Sequence, residues 1–277
     1  MKVSFGCELT YRVAAPTVFI LNIEAARIPA HAGLADSLRS NPALHFTGYA
    51  APPFDNRYAR FLAPPGPLRI GYEGSADLQL RRANPAGIGE VPIAALPLEL
   101  FSFLQPSRFC EADRLANVAE KQFGSINPGF ERVTAICNWI CSNIEYKRGA
   151  SNPQTSAAQT LEQRAGVCRD FAHLGIALCR ALNIPARFVS CYALGLAPDD
   201  FHAVFEAYLG GTWWLFDPTR QALLDGLIRI GIGRDAAEVS FASMYGAAEP
   251  DSMRVFVTAA DPAAPSRERT VDAISTG

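Results

Sequence analysis

Three residues in the second half of the chain could carry out chemistry together: Cys168, His202 and Asp217. Cys168 stands in the run Gly166-Val167-Cys168-Arg169-Asp170-Phe171-Ala172-His173-Leu174, and Phe171, Leu174, Ile176, Leu178 and Leu182 then recur with helical spacing. Asn183 and Pro185 stop that pattern, as a left-handed residue followed by proline does. The spacing places Cys168 in the first turn of a helix of about four turns. A helix start offers unpaired N–H groups and the positive end of the dipole. Anions are favoured there, and the thiolate is the nucleophilic form of cysteine. The dipole contributes only about 0.3–1 kcal/mol. A nucleophile at this position therefore needs a nearby cation as well, and histidine is the natural candidate.

His202 lies on a predicted strand over residues 201–209, with Val204 and Glu206 on the same face. Gly210-Gly211 is a hairpin signal, and residues 212–217 form the returning strand, ended by Pro218. A two-residue turn sets Leu209 opposite Thr212, Val204 opposite Asp217, and His202 opposite residue 219. Asp217 then shares a face with His202 and lies diagonal to it, about 7–8 Å away at the backbone. That is within reach of an Asp–imidazole hydrogen bond. A turn of odd length would send Asp217 to the other face. A thiol at a helix start, a strand His and a neighbouring Asp form a Cys-His-Asp arrangement suited to nucleophilic catalysis.

The elements that must hold these groups follow from periodicity. Helices are expected over residues 111–123, 130–144 and 157–163, and strands over residues 186–192, 227–232 and 254–258. The first hundred residues read differently. Val3, Phe5, Cys7, Leu9 and Tyr11 alternate, residues 17–23 are β-branched and aromatic, and Pro64-Pro65-Gly66-Pro67 separates candidate strands at 58–62 and 68–72. Short strands with frequent turn signals suggest a sandwich-like domain. The expected organisation is an N-terminal β domain over 1–100, a core over 101–260, and a disordered tail over 261–277, rich in Pro, Ser and charge.

Composition narrows the class. The chain has 277 residues, 49% of them hydrophobic and 19% charged, which is globular and leaves ample core material. A net charge of −2 gives no electrostatic case for nucleic acid or an anionic membrane as partner. No apolar run approaches a membrane span, and the first residues read as a strand rather than a signal peptide. Seven scattered cysteines without a C-x-x-C pair point to a reducing, cytoplasmic compartment rather than to disulfides or a zinc site. No cofactor or metal is expected.

Other candidates read as structural. Cys137 and Cys141 lie four apart on an apolar stripe and read as core, because no second ligand pair completes a metal site. Asp199 and Asp200 read as solvated loop residues, His31 and His45 as surface loop histidines, and His173 as a packing residue within its helix. Asp170 suits a first helical turn on dipole grounds alone.

The runs Ala165-Gly-Val-Cys-Arg-Asp-Phe-Ala-His-Leu, Asn183-Ile-Pro-Ala-Arg, Phe201-His-Ala and Trp214-Leu-Phe-Asp-Pro-Thr together resemble the transglutaminase-like superfamily. The resemblance is greatest to its bacterial branch described as cysteine proteases. Gly231-Ile-Gly-Arg-Asp-Ala-Ala-Glu-Val is similar to a segment of that branch, and the β region to the domain that commonly precedes its core. The resemblance implies an α+β fold: the N-terminal β domain, then a papain-like core of helices followed by an antiparallel sheet or barrel. By position it implies Cys168 as nucleophile, His202 as general base and then acid, and Asp217 as the orienter of His202. The family often has an aromatic residue two after the His, where this chain has Val204.

An oxyanion hole would need the Cys168 backbone N–H and one further donor. Tyr146 is a candidate, its alternative being ordinary packing at a helix end. The leading expectation is thiol-dependent acyl transfer on the amide bonds of a peptide or protein substrate, through an acyl-enzyme, as a peptidase or amidase. Release of the acyl group to an amine would make the protein a transglutaminase. A non-catalytic binding module on the same fold is the third reading. No EF-hand-like run supports calcium dependence.

Overall fold

A computed structural model describes residues 1–260 and 270–277. The N-terminal strands are β1 (Lys2–Val13), β2 (Thr17–Leu21), β3 (His31–Asn41), β4 (Thr47–Ala51), β5 (Asn56–Ala63), β6 (Gly66–Leu78) and β7 (Arg81–Ala83). After two 3-10 turns come α1 (Ala112–Phe123), α2 (Phe130–Asn143), β8 (Glu145–Tyr146), α3 (Ala157–Gln163), β9 (Ala165–Gly166) and α4 (Cys168–Ala181). The remaining strands are β10 (Ala186–Ala193), β11 (His202–Leu209), β12 (Thr212–Phe216), β13 (Leu227–Gly233), β14 (Ala242–Tyr245), β15 (Ala248–Ala259) and β16 (Ala273–Ser275).

The N-terminal region is two four-stranded sheets, ordered β15-β1-β6-β3 and β14-β2-β5-β4. Alternate residues of β1, from Val3 to Val13, are buried between them. Tyr11 on one sheet meets Phe19 on the other edge-to-face, with ring centroids 5.0 Å apart. Both sheets borrow a strand from far along the chain, since β14 and β15 come from residues 242–259. These two strands, from the segment 101–260, complete the sheets formed by residues 1–100. Strand β3 has the sequence His-Ala-Gly-Leu-Ala-Asp-Ser-Leu-Arg-Ser-Asn, without a β-branched residue, and gave no strand signal.

The second region is an open antiparallel sheet, ordered β12-β11-β10-β13, rather than a closed barrel. Helix α4 packs on it. Phe171, Leu174 and Leu178 are fully buried in one core with Phe205, Ala207 and Leu209 of β11 and with Leu115, Ile136 and Ile140 of α1 and α2. Burying those three α4 side chains stabilises the helix on the sheet by roughly 5–9 kcal/mol. The helix ends as its sequence requires. Asn183 has φ +62°, and the Ile184 N–H returns to the Cys179 carbonyl at 2.9 Å.

The two regions are joined by buried polar contacts. The Asn56 side chain mimics a strand partner for Ile232, donating to its carbonyl at 2.7 Å and accepting its N–H at 2.8 Å. Tyr192 of β10 reaches into the N-terminal core and donates to the Ile23 carbonyl at 2.7 Å. His31 is not a surface loop residue: it is buried at the start of β3, with Nδ1 2.8 Å from the Ala26 carbonyl and Nε2 accepting the Arg229 N–H at 3.2 Å. His45 is exposed.

Of the tail expected to be disordered, residues 261–269 lie outside the described residues, but residues 273–275 form β16 on β7. Ala273, Ile274 and Thr276 are buried, and the Thr276 hydroxyl donates to Glu206, which also pairs with Arg187 at 2.6 Å. Apolar and polar anchoring both hold this short segment against β11. Cys137 lies in the core, whereas Cys141, one turn further along α2, is exposed and not a core residue.

Candidate active site

The β11–β12 hairpin has the two-residue turn that parity required. Leu209 pairs with Thr212 and Phe205 with Phe216. Gly210 and Gly211 both have positive φ, +58° and +82°, a turn that residues with a Cβ form only at a cost. His202 Nε2 lies 3.2 Å from Asp217 Oδ2, and both side chains are buried. Asp217 also closes the turn after its strand. Its Oδ1 accepts from Thr219 N–H and Oγ1, and its Oδ2 from the N–H groups of Gln221 and Ala222. One carboxylate thus lies within hydrogen-bond distance of the ring and is itself fixed by Thr219 and the backbone.

Cys168 opens α4, half-buried and free of any disulfide. The turn before it is tightly built. Asp170 is fully buried and its Oδ2 accepts the Val167 N–H at 2.8 Å, the reach-back half of a capping box. Ser151 and Arg169 also bond this carboxylate. Asp170 is therefore more than a dipole-favoured first-turn residue. The signal for it was a carboxylate at the third helical position. Gly166 is needed for the same reason, since a Cβ there would lie 2.8 Å from the Asp170 Cβ.

Tyr146 is tied to this turn by a parallel bridge. Its strand β8 pairs with β9, with Glu145 N–H donating to Arg164 O at 2.8 Å and Lys147 N–H to Gly166 O at 2.9 Å. The tyrosine thereby faces the same cavity as Cys168, near enough for the sulfur to influence its hydroxyl. Burial, then the sulfur, pushes the phenol up, so the hydroxyl remains a hydrogen-bond donor.

Burial opposes a charge on the His202 ring. The Asp217 carboxylate, its hydrogen bond and the Cys168 sulfur outweigh burial and raise the imidazolium from 6.5 to about 10. Burial also opposes the Asp217 charge, and His202, Thr219 and Ala222 overcome it, so this carboxyl lies below its ordinary value. His202 Nδ1 is buried without a hydrogen-bond partner among the described residues. With Nε2 committed to Asp217, Nδ1 is the nitrogen left for proton exchange with the thiol or a substrate.

Cys168, His202 and Tyr146 line one cavity of about 760 Å³. Phe109, Phe188, Val239 and the stacked pair Phe201–Phe241, with centroids 5.0 Å apart, make much of its wall apolar. Arg108 and Arg148 line it as exposed cations, and Arg148 pairs with Asp200 at 3.0 Å, so Asp200 is not simply solvated. His173 supports the wall from beneath. It stacks on Phe109, and its Nε2 accepts the Ala236 N–H at 3.1 Å. Burial drives its imidazolium down to about 3, so the ring is neutral and structural. Residues 236–239 of the cavity wall fall in the segment whose family likeness the sequence showed, but the wall role of residues 240–242 and the Phe201–Phe241 stack had no local signature, because they come together only through tertiary packing. Among the described residues no three His, Cys, Asp or Glu side chains converge as metal donors.

Residues 116–218 match the family model of the transglutaminase-like superfamily core, and residues 1–99 match the bacterial transglutaminase N-terminal domain. The crystal structure of a "Putative Cysteine Protease" from Cytophaga hutchinsonii is similar over 99% of this chain and 97% of its own, with TM-score 0.94 and 40% identity. An uncharacterized protein of Mycobacterium leprae is 31% identical over 146 residues, covering 50% of this chain and 52% of that protein. One of Mycobacterium tuberculosis is 31% identical over 190 residues, covering 63% and 59%. The chain thus spans between 52% and 59% of the length of these mycobacterial relatives.

Proposed function

Because the chain belongs to the transglutaminase-like superfamily, we propose that it is a thiol-dependent acyl-transfer enzyme acting on amide bonds, a cysteine peptidase or amidase. The observation that carries this reading is His202, bonded through Nε2 to a fixed Asp217 and with its other nitrogen unpartnered among the described residues, in one cavity with Cys168. In this reading the Cys168 sulfur attacks the substrate carbonyl carbon. The oxyanion is met by the Cys168 N–H and the Tyr146 hydroxyl, preorganised donors at the point where charge develops. His202 Nδ1–H passes its proton to the leaving nitrogen, and the C–N bond breaks to leave a thioester on Cys168. Nδ1 then takes a proton from water, whose oxygen attacks the thioester, and the acid departs as the thiol is restored. Asp217 holds Nε2–H throughout, fixing the tautomer and stabilising the imidazolium.

The proposed substrate is a peptide or protein, which suits a roomy, largely apolar cavity. A reducing, cytoplasmic setting belongs to the same proposal and is supported by seven free thiols. The test is incubation with a random 12-residue peptide library, with and without a primary amine, read by mass spectrometry beside Cys168→Ala. Shortened peptides or deamidated glutamines, absent with Cys168→Ala, are expected. Amine adducts in place of hydrolysis would assign a transamidase. An unchanged library would overturn acyl transfer on peptides and favour a binding module.

A further inference from the structure

We propose that the exposed edge of β14 is a docking strand for the substrate, which the enzyme takes as an extended polypeptide pairing main chain to main chain with Ala242 and Met244. This rests on the proposed acyl-transfer function and names its substrate class.

Strand β14 is the end strand of its sheet and pairs only with β2 among the described residues. The direction of its unpaired groups follows from one bond. Asn22 N–H donates to Phe241 O at 3.0 Å, and the register continues as Ser243 opposite Ile20 and Tyr245 opposite Val18. Phe241, Ser243 and Tyr245 therefore aim their backbone groups at β2, and Ala242 and Met244 aim theirs outward. Of these outward groups, the Ala242 carbonyl accepts from the Ser240 hydroxyl at 3.1 Å. The two N–H groups and the Met244 carbonyl have no partner among the described residues. Their two-residue repeat, about 6.6–6.8 Å, is the repeat of a strand laid alongside.

Exposed edges are normally guarded by charge, proline or a bulge. The sequence Ala-Ser-Met-Tyr carries no charge and no proline. Met244 and Tyr245 are 38% and 64% exposed, so a paired strand would also find apolar surface for its side chains. The edge leads to the thiol. Phe241 and Ala242 line the cavity that holds Cys168, and Phe241 stacks on Phe201, the residue next to His202. The opposite edge strand, β4, contributes nothing to that cavity. Pairing along a sheet edge gives affinity through the main chain and is tolerant of sequence. It selects unfolded or extended segments over small amides.

The test uses the wild-type protein and those library peptides it processes, remade with single N-methyl amides. Losses of at least tenfold in kcat/KM at alternate residues beyond the scissile bond are expected, with little effect between them. Met244→Pro, which removes an outward N–H and leaves the β2 ladder intact, should lower kcat/KM on the same peptides at least tenfold with an unchanged thermal midpoint. Uniform tolerance of N-methylation together with full activity of a folded Met244→Pro would overturn the docking strand while leaving acyl transfer in place. Dimers that dissociate in Met244→Pro would assign the edge to a second copy instead. Absence of any processed peptide would overturn both this inference and the proposed function.

Discussion

Asp217→Asn separates a carboxylate that orients His202 from one that only closes a turn. The wild-type group accepts from Thr219 N–H at 2.9 Å and Oγ1 at 2.7 Å, and from His202 at 3.2 Å, Gln221 N–H at 3.1 Å and Ala222 N–H at 3.0 Å. An amide has one oxygen. If that oxygen faces His202, the NH2 confronts the Thr219 N–H, and one unmet buried donor costs about 1–3 kcal/mol. The variant should therefore fold with a lowered thermal midpoint. The charge effect is larger. The rise of His202 from 6.5 to about 10 corresponds to on the order of 5 kcal/mol, shared between Asp217 and the Cys168 sulfur. Removing the carboxylate should slow acylation by roughly three to four orders of magnitude, the size of the loss in a serine triad. The pH dependence has a definite sign. Asp217 lies below its ordinary 3.8, so its contribution is present above that pH and lost as pH falls. His202 is raised, so its contribution is full below 6.5 and lost as pH rises through about 10. The stability gap between wild type and Asp217→Asn should be widest between these limits and close toward pH 10. The assays are kcat/KM on a processed library peptide and thermal unfolding across pH 4–10. Near-wild-type turnover with only the modest stability loss would refute the orienting role.

Other consequences follow from the same geometry. Tyr146→Phe keeps the ring and its bridge but removes the hydroxyl proposed as an oxyanion donor, so kcat should fall about 10²–10³-fold with little change in melting temperature; unchanged kcat would dismiss it from that role. Iodoacetamide at pH 7.5 should label Cys168 and exposed Cys141 first, because burial pushes Cys7 up to about 11 and Cys110 and Cys137 to about 12. His202→Ala should slow labelling of Cys168 at least tenfold and leave Cys141 as an internal control; an unaltered Cys168 rate would remove His202 as its partner. Acid should unfold the protein through His173 and His31, which burial lowers to about 3 and about 4. Their contribution is full above 6.5 and shrinks as pH falls, by about 5 kcal/mol at pH 4.5 for the two together. His173→Gln should roughly halve that slope, and an unchanged slope would place the acid sensitivity elsewhere.

The site was more legible in the sequence than the fold around it. The α4 stripe, Asn183 and Pro185 fixed where Cys168 sits on its helix, and the Gly210-Gly211 turn carried the His202–Asp217 parity, because both depend on residues close in sequence. Strand β3 was invisible because it has no β-branched residue and sets Asp36 and Ser40 beside Leu34 and Leu38 on its half-buried side, and β14 because its partner lies more than 200 residues away; of β15 only residues 254–258 gave a signal. His31 looked like a loop residue because its partners, Ala26 and Arg229, are set by tertiary packing. The tail read as disordered by composition, yet residues 273–276 are buried by contacts with β7 and Glu206 that composition does not encode.

In the proposed mechanism Cys168 carries the acyl group. The most direct measurement is rapid acid quenching of wild-type protein with a processed library peptide, followed by intact-mass and peptide-mapping mass spectrometry. A transient mass increase equal to the acyl portion of the peptide, mapped to Cys168, is expected to accumulate in Tyr146→Phe or wild type before product release and never to form in Cys168→Ala. Product formation that persists in Cys168→Ala, or an acyl group mapped to another residue, would contradict that mechanism.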